Sequence, residues 1–181
     1  MLTLQAVFGT IFNILKREDR YLLKYTGPKE PNECGVSNLE EKHIQYILYR
    51  NLLKLGGFSV YMEDPYNKGK RKCDLTIYPK NKNIGIWIEI KTTGWCWDGA
   101  FKKWVISDLR KMKPLQQRRK YLLVSSLEDK KPAKSEWNDY FKREIRGVKF
   151  DPEFFRFFRT KFIDDRISRD GYYTLCLLKV I

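Results

Sequence analysis

Asp74, Glu89 and Lys91 are the residues of this chain whose types and spacing are best suited to chemistry. The run from Ile84 to Thr92 alternates, with Ile84, Ile86, Ile88 and Ile90 pointing one way and Gly85, Trp87, Glu89 and Lys91 the other. Period two puts Glu89 and Lys91 on one face of a strand, roughly 6.5–7 Å apart. Both are poor strand formers, yet they interrupt a β-prone isoleucine ladder. Upstream, Cys73–Tyr78 reads as a neighbouring strand with Asp74 at its mouth. Two carboxylates and an ammonium converging at a strand edge suit a divalent metal and a scissile phosphate, because a hard cation prefers oxygen ligands and neutralises phosphate charge.

Around this set, secondary-structure signals follow one another from about Ser37 to Ser125. Ser37-Asn-Leu-Glu40 has the form of a capping box, opening a helix that ends at Gly56-Gly57 with Ile44, Ile47, Leu48, Leu52 and Leu55 on its apolar face. Phe58–Met62 alternates as a strand, and residues 67–72 form a basic turn into the Asp74 strand. After Lys91 come a turn at Trp95-Cys-Trp97 and a helix capped by Asp98, running to about Met112 with Phe101, Trp104, Val105, Leu109 and Met112 inward. Tyr121–Val124 is the next strand. The order is helix, three strands, helix, strand.

Asp74, the Glu89-Ile90-Lys91 triplet and that element order resemble the PD-(D/E)xK nuclease superfamily, with Cys73 standing where the family name has proline. The resemblance implies an α/β fold with a restriction-endonuclease-like αβββαβ core, a central mixed sheet flanked by helices. It implies a metal-dependent nuclease acting on DNA, with Mg²⁺ as cofactor and Mn²⁺ expected to substitute. Asp74 and Glu89 would hold the ion, the Ile90 carbonyl would add a ligand, and Lys91 would orient the attacking water and stabilise developing charge. Family members often carry a glutamate on the first helix. Glu40 and Glu41 each lie about 50° from the centre of the apolar face. Glu41, followed by Ile44 and Gln45, better matches the family rhythm, while Glu40 is engaged by the capping box. Three carboxylates this close would raise one another's pKa without metal, so the site is expected to be ion-dependent. A non-cleaving DNA-binding module on the same fold, or a nuclease acting on RNA, stays open.

Composition bounds the rest. The 181 residues suffice for one domain with a substantial core: an N-terminal helix and linker over 1–36, a catalytic core over 37–125, and an extension over 126–181 packed on it. A net charge of +14 points to a polyanion, of which nucleic acid is the commonest. Two basic runs flank the core, Lys68, Lys70, Arg71 and Lys72 before Asp74, and Arg110, Lys111, Lys113, Arg118, Arg119 and Lys120 after the second helix. They are candidates for phosphate contacts, which position a duplex without reading it. Trp95 and Trp97 are candidates for stacking on bases, with core packing as the competing role for at least one of them.

Cys34, Cys73, Cys96 and Cys176 form no CxxC pair, so neither a zinc site nor a disulfide framework is indicated. With no signal-peptide pattern and no apolar run of the roughly 20 residues that span a bilayer, a cytoplasmic protein is expected. His43, the one histidine, lies off the inner helix face, and no P-loop or dinucleotide fingerprint is present. Residues 3–17 form an amphipathic helix expected to cap the sheet, with a homodimer contact as the alternative. In the last third, Ser135–Ile145 reads as a helix. Asp151-Pro152-Glu153 reads as the N-cap and first turn of another helix carrying Phe154, Phe155, Phe157, Phe158 and Phe162, and Tyr172–Ile181 as a terminal strand. The phenylalanines are expected in the core.

Overall fold

The computed structural model describes residues 3–25, 35–36, 39–66, 71–80, 85–95, 99–115, 119–164 and 167–181. Its elements are α1 (Leu4–Tyr25), α2 (Glu41–Leu55), β1 (Phe58–Tyr66), β2 (Arg71–Pro79), β3 (Ile86–Trp95), α3 (Gly99–Met112), β4 (Lys120–Glu128), α4 (Lys134–Glu144), β5 (Val148–Asp164) and β6 (Ile167–Val180). One mixed six-stranded sheet runs β1-β2-β3-β4-β6-β5. β3 and β4 are parallel, joined by the crossover helix α3, and the other neighbours are antiparallel. β4 passes through position 125 without a break, so the last two strands extend the sheet of the first four.

The period-two alternation divides the core in two. Ile86, Ile88 and Ile90 face α1 and α2, against Phe8, Ile11, Leu15, Ile44, Leu48 and Leu52. Trp87 faces the other way, into a cluster with Phe101, Val105 and Met112 of α3 and Trp137 and Phe141 of α4. Gly56 and Gly57, at φ 68° and 77°, turn the chain from α2 into β1 through backbone that a side chain would strain. No helix among the described residues is long and apolar enough to cross a membrane.

Several expectations are corrected. The first helix runs to Tyr25, beyond residue 17. The second begins at Glu41, with Glu40 as an N-cap that makes no side-chain cap bond. The Leu39 N–H closes a tight turn on the Val36 carbonyl, and Ser37, the other half of the expected capping box, lies outside the described residues. Leu55 and Trp104 are exposed rather than inward. Arg71 and Lys72 belong to β2, not to a turn.

The largest change is at Asp151-Pro152-Glu153, which opens no helix but lies in β5. Phenylalanines at i, i+1, i+3 and i+4 fit one helical face, and Asp151 does accept the Glu153 N–H, at 3.0 Å. That bond instead serves a bulge between Phe150 and Phe155, where Pro152 needs no ladder partner. Beyond it the phenylalanines divide between the faces. Phe154 and Phe158 meet Phe8 and Phe12 of α1, and Phe155 meets Trp137 of α4. A strand covers both layers, whereas a helix would cover one.

α1 is pinned to β5 by Asp19, which is buried and accepts from Thr160 Oγ1 at 2.6 Å and from the Val36 N–H at 3.0 Å. Gly35 makes room for this contact, since a Cβ there would lie 1.7 Å from Asp19 Oδ1. Burial raises the Asp19 pKa against these bonds. Thr160→Val leaves the carboxyl one donor short and is expected to cost about 1–2 kcal/mol, read as a lower urea midpoint.

Candidate active site

The site forms where two strands part. β2 pairs with β3 at Leu75, Thr76 and Ile77. At Asp74 the regular pattern breaks: Cys73 and Leu75, two residues apart, lie in opposite core clusters. Across the ladder, the pairs Met62↔Leu75 and Asp64↔Cys73 set Glu63 opposite Asp74, and Glu63 carries φ 55°, in the left-handed region. Asp74 bridges the gap with its side chain. Its Oδ2 accepts the Ile90 N–H at 2.8 Å, where a regular ladder would place a carbonyl. Its own carbonyl accepts from Gln45 Nε2 of α2 at 2.6 Å, and the same amide reaches Glu63 Oε1 at 3.2 Å.

Glu89 is 2% exposed, and its Oε1 has no hydrogen-bond partner. Burial, and then the neighbouring Asp74 and Asp108 carboxylates, push its pKa up to about 9. The Glu89 carboxyl therefore holds a proton at neutral pH and donates it to Asp74. Asp74 is raised as well, by burial, with the Ile90 N–H and Glu89 working against the rise.

Lys91 lies beside this pair. Burial opposes its charge, but Asp108 and Glu41 outweigh burial and hold the ammonium protonated. Its Nζ meets Glu41 Oε1 at 3.0 Å, Glu41 Oε2 at 2.9 Å and Asp108 Oδ2 at 3.0 Å. Asp108 Oδ1 in turn meets Lys111 Nζ at 2.5 Å. Charges of alternating sign thus run from the first turn of α2 to the last turn of α3.

Asp74, Glu89, Ile90, Lys91 and Glu41 are therefore brought together. Asp108 is not among the residues the sequence singles out, although a signal exists. An aspartate at 108 shares the helical face of Phe101, Val105 and Met112, where an apolar residue belongs. The basic candidates divide. Arg71 donates to the Arg110 and Lys111 carbonyls and Lys120 to the Met112 carbonyl, so both cap the negative end of α3. Lys111 is held by Asp108. Lys72, Arg110, Lys113 and Arg119 are exposed, as is His43. Lys68, Lys70, Arg118, Ser37, Cys34, Cys96, Trp97 and Asp98 lie outside the described residues, as does the side chain of Trp95.

Among the described residues no three His, Cys, Asp or Glu side chains gather as a ready-made metal cluster. Magnesium does not require one, since it is commonly held by one or two carboxylates and completes its shell with water and substrate oxygens. The Asp74–Glu89 pair meets that need: a half-buried and a buried oxygen-donor group, the latter with an unpartnered oxygen, sharing a proton that a cation would displace. Glu41, with both oxygens on Lys91, reaches the pair through that lysine. Glu41→Gln is expected to lower turnover about tenfold or more by removing a carboxylate charge that both Lys91 and Asp74 feel. Glu40→Gln, at an exposed position with no cap bond, is expected to leave both turnover and stability nearly unchanged. Steady-state rates and urea midpoints of the two variants check this.

No protein-family model matches the chain, and neither a curated protein nor a solved structure does.

Proposed function

We propose that this protein is a metal-dependent nuclease hydrolysing DNA phosphodiester bonds, on a restriction-endonuclease-like core of the PD-(D/E)xK type. One observation carries the reading: the Asp74 and Glu89 carboxyls meet at the parting of two strands, beside a lysine held charged by two further acids. The order α2-β1-β2-β3-α3-β4 supports it, since it is the helix, three strands, helix, strand of that core.

Asp74 and Glu89 would hold Mg²⁺ or Mn²⁺, which when bound supplies neutralisation of the phosphate and activation of water. Asp74 is held in place by the Ile90 N–H, and Glu89 by burial against α3, so neither carboxyl has to be ordered on binding. Lys91 keeps its proton and presents a fixed positive charge, stabilising negative charge that develops on the phosphate oxygens. The exposed Lys72, Arg110, Lys113 and Arg119 would make phosphate contacts beside the site.

The test is cleavage of duplex, single-stranded, flap and four-way-junction DNA, and of RNA, with Mg²⁺ or Mn²⁺ and with EDTA as control. Metal-dependent cutting of any DNA substrate, lost in EDTA, is the expected result. Cutting of RNA alone moves the substrate assignment to RNA, and binding without cutting leaves a non-cleaving module.

A further inference from the structure

Asp108 is a buried acid in the body of a helix, 1% exposed and set among the apolar residues of α3 that pack on the sheet. Aspartate is a weak helix former, and burying its charge costs stability unless partners satisfy it. Its two oxygens face two different lysines: Oδ1 accepts a hydrogen bond from Lys111 at 2.5 Å, and Oδ2, which has no hydrogen-bond partner, makes an ion pair with Lys91 at 3.0 Å. These lysines come from different elements, one from β3 and one from the end of α3. Lys91 is also held by Glu41, but the two anchors differ. The Glu41 side chain is one-third exposed in the first turn of α2, whereas that of Asp108 is 2% exposed and fixed by its helix.

We propose that Asp108 is a positioning residue that fixes the Lys91 ammonium inside the site and the Lys111 ammonium at its rim, making Lys111 a second cation of the site. The proposal rests on the nuclease reading for its consequence in catalysis, but not for its geometry. Lys111 is half-exposed and shares Asp108 with Lys91, so its ammonium is tied to the site while open to solvent, where a substrate phosphate would arrive. Without Asp108, Lys91 keeps only the partly exposed Glu41 partner and is drawn toward the start of α2, and Lys111 joins the solvated lysines of the α3 end.

The experiment is ¹⁵N relaxation and hydrogen exchange of the lysine ammonium groups, on the whole chain without metal or DNA. In the wild type, Lys91 and Lys111 are expected to show restricted, slowly exchanging ammonium signals, with exposed Lys113 as the mobile control. Asp108→Asn, which keeps size but not charge, is expected to speed exchange at both lysines at least about tenfold, through loss of the ion pair at Lys91 and of the charge-assisted hydrogen bond at Lys111. Unchanged exchange in that variant overturns the proposal. Should Asp108→Asn fail to fold, Glu41→Gln decides. Lys91 is expected to stay restricted there, and release of Lys91 by Glu41→Gln alone overturns Asp108 as the anchor. With DNA and Mg²⁺, Asp108→Asn is expected to lower kcat about tenfold with KM unchanged, while Lys111→Gln raises KM. A wild type that cuts nothing counts against the nuclease reading alone, because the ammonium signals are read without substrate.

Discussion

Asp74→Asn, Glu89→Gln and Lys91→Ala are each expected to reduce Mg²⁺-dependent DNA cleavage at least about a thousandfold, by removing a metal ligand or the charge beside the phosphate. The first two are isosteric and isolate chemistry from folding. Asn at 74 retains a side-chain oxygen for the Ile90 N–H, and Gln at 89 retains a donor toward Asp74. Lys91→Ala differs, since it leaves Glu41 and Asp108 facing each other without the cation between them. Its rate is therefore to be read at a temperature where circular dichroism shows the fold intact. EDTA is expected to abolish cutting and Mg²⁺ to restore it. Full activity in EDTA, or in the Lys91→Ala protein, would sink the two-carboxylate and lysine assignment.

Glu89→Gln is also expected to stabilise the metal-free protein. The Glu89 carboxyl titrates near its ordinary 4.5 in the unfolded chain and at about 9 when folded, chiefly because burial disfavours the anion. Between those values the folded state binds a proton that the unfolded state has lost. Stability through this group is thus fully present below about pH 4.5, declines by about 1.4 kcal/mol per pH unit above it, and levels off past about pH 9. At pH 7 the variant is expected to exceed the wild type by on the order of 3 kcal/mol, because Gln needs no proton taken up on folding. Urea unfolding in EDTA at pH 6, 7 and 8 measures it, and parallel pH slopes for the two proteins would refute it. Mg²⁺ is expected to raise the wild-type midpoint and leave the variant's unmoved.

What the sequence made legible is what a single element determines. The isoleucine ladder put Glu89 and Lys91 on the face opposite Ile88 and Ile90, and the glycine pair after Leu55 ended α2. Asp108 needed only the helical period of α3, but Trp104 in the same helix is a stronger apolar signal and drew the inward face toward itself, although it is half-exposed. β5 was not legible because its local pattern suits a helix equally well, and pairing with β6 between two helical layers decides. The parting of β2 from β3 at Asp74 lay further out of reach, as it depends on three strands and on the left-handed Glu63.

That parting gives the molecule a built-in reporter. The Ile90 amide hydrogen points at a side-chain carboxylate rather than at a backbone carbonyl, so its shielding follows the charge on Asp74. A cation or a proton that draws electron density from that carboxylate weakens the bond and moves the resonance of this one amide upfield, while its neighbours in the ladder keep carbonyl partners. The occupancy of the carboxyl pair can therefore be followed by titration on the unmodified protein, with neither a dye nor a turnover event, through a proton one residue from Glu89.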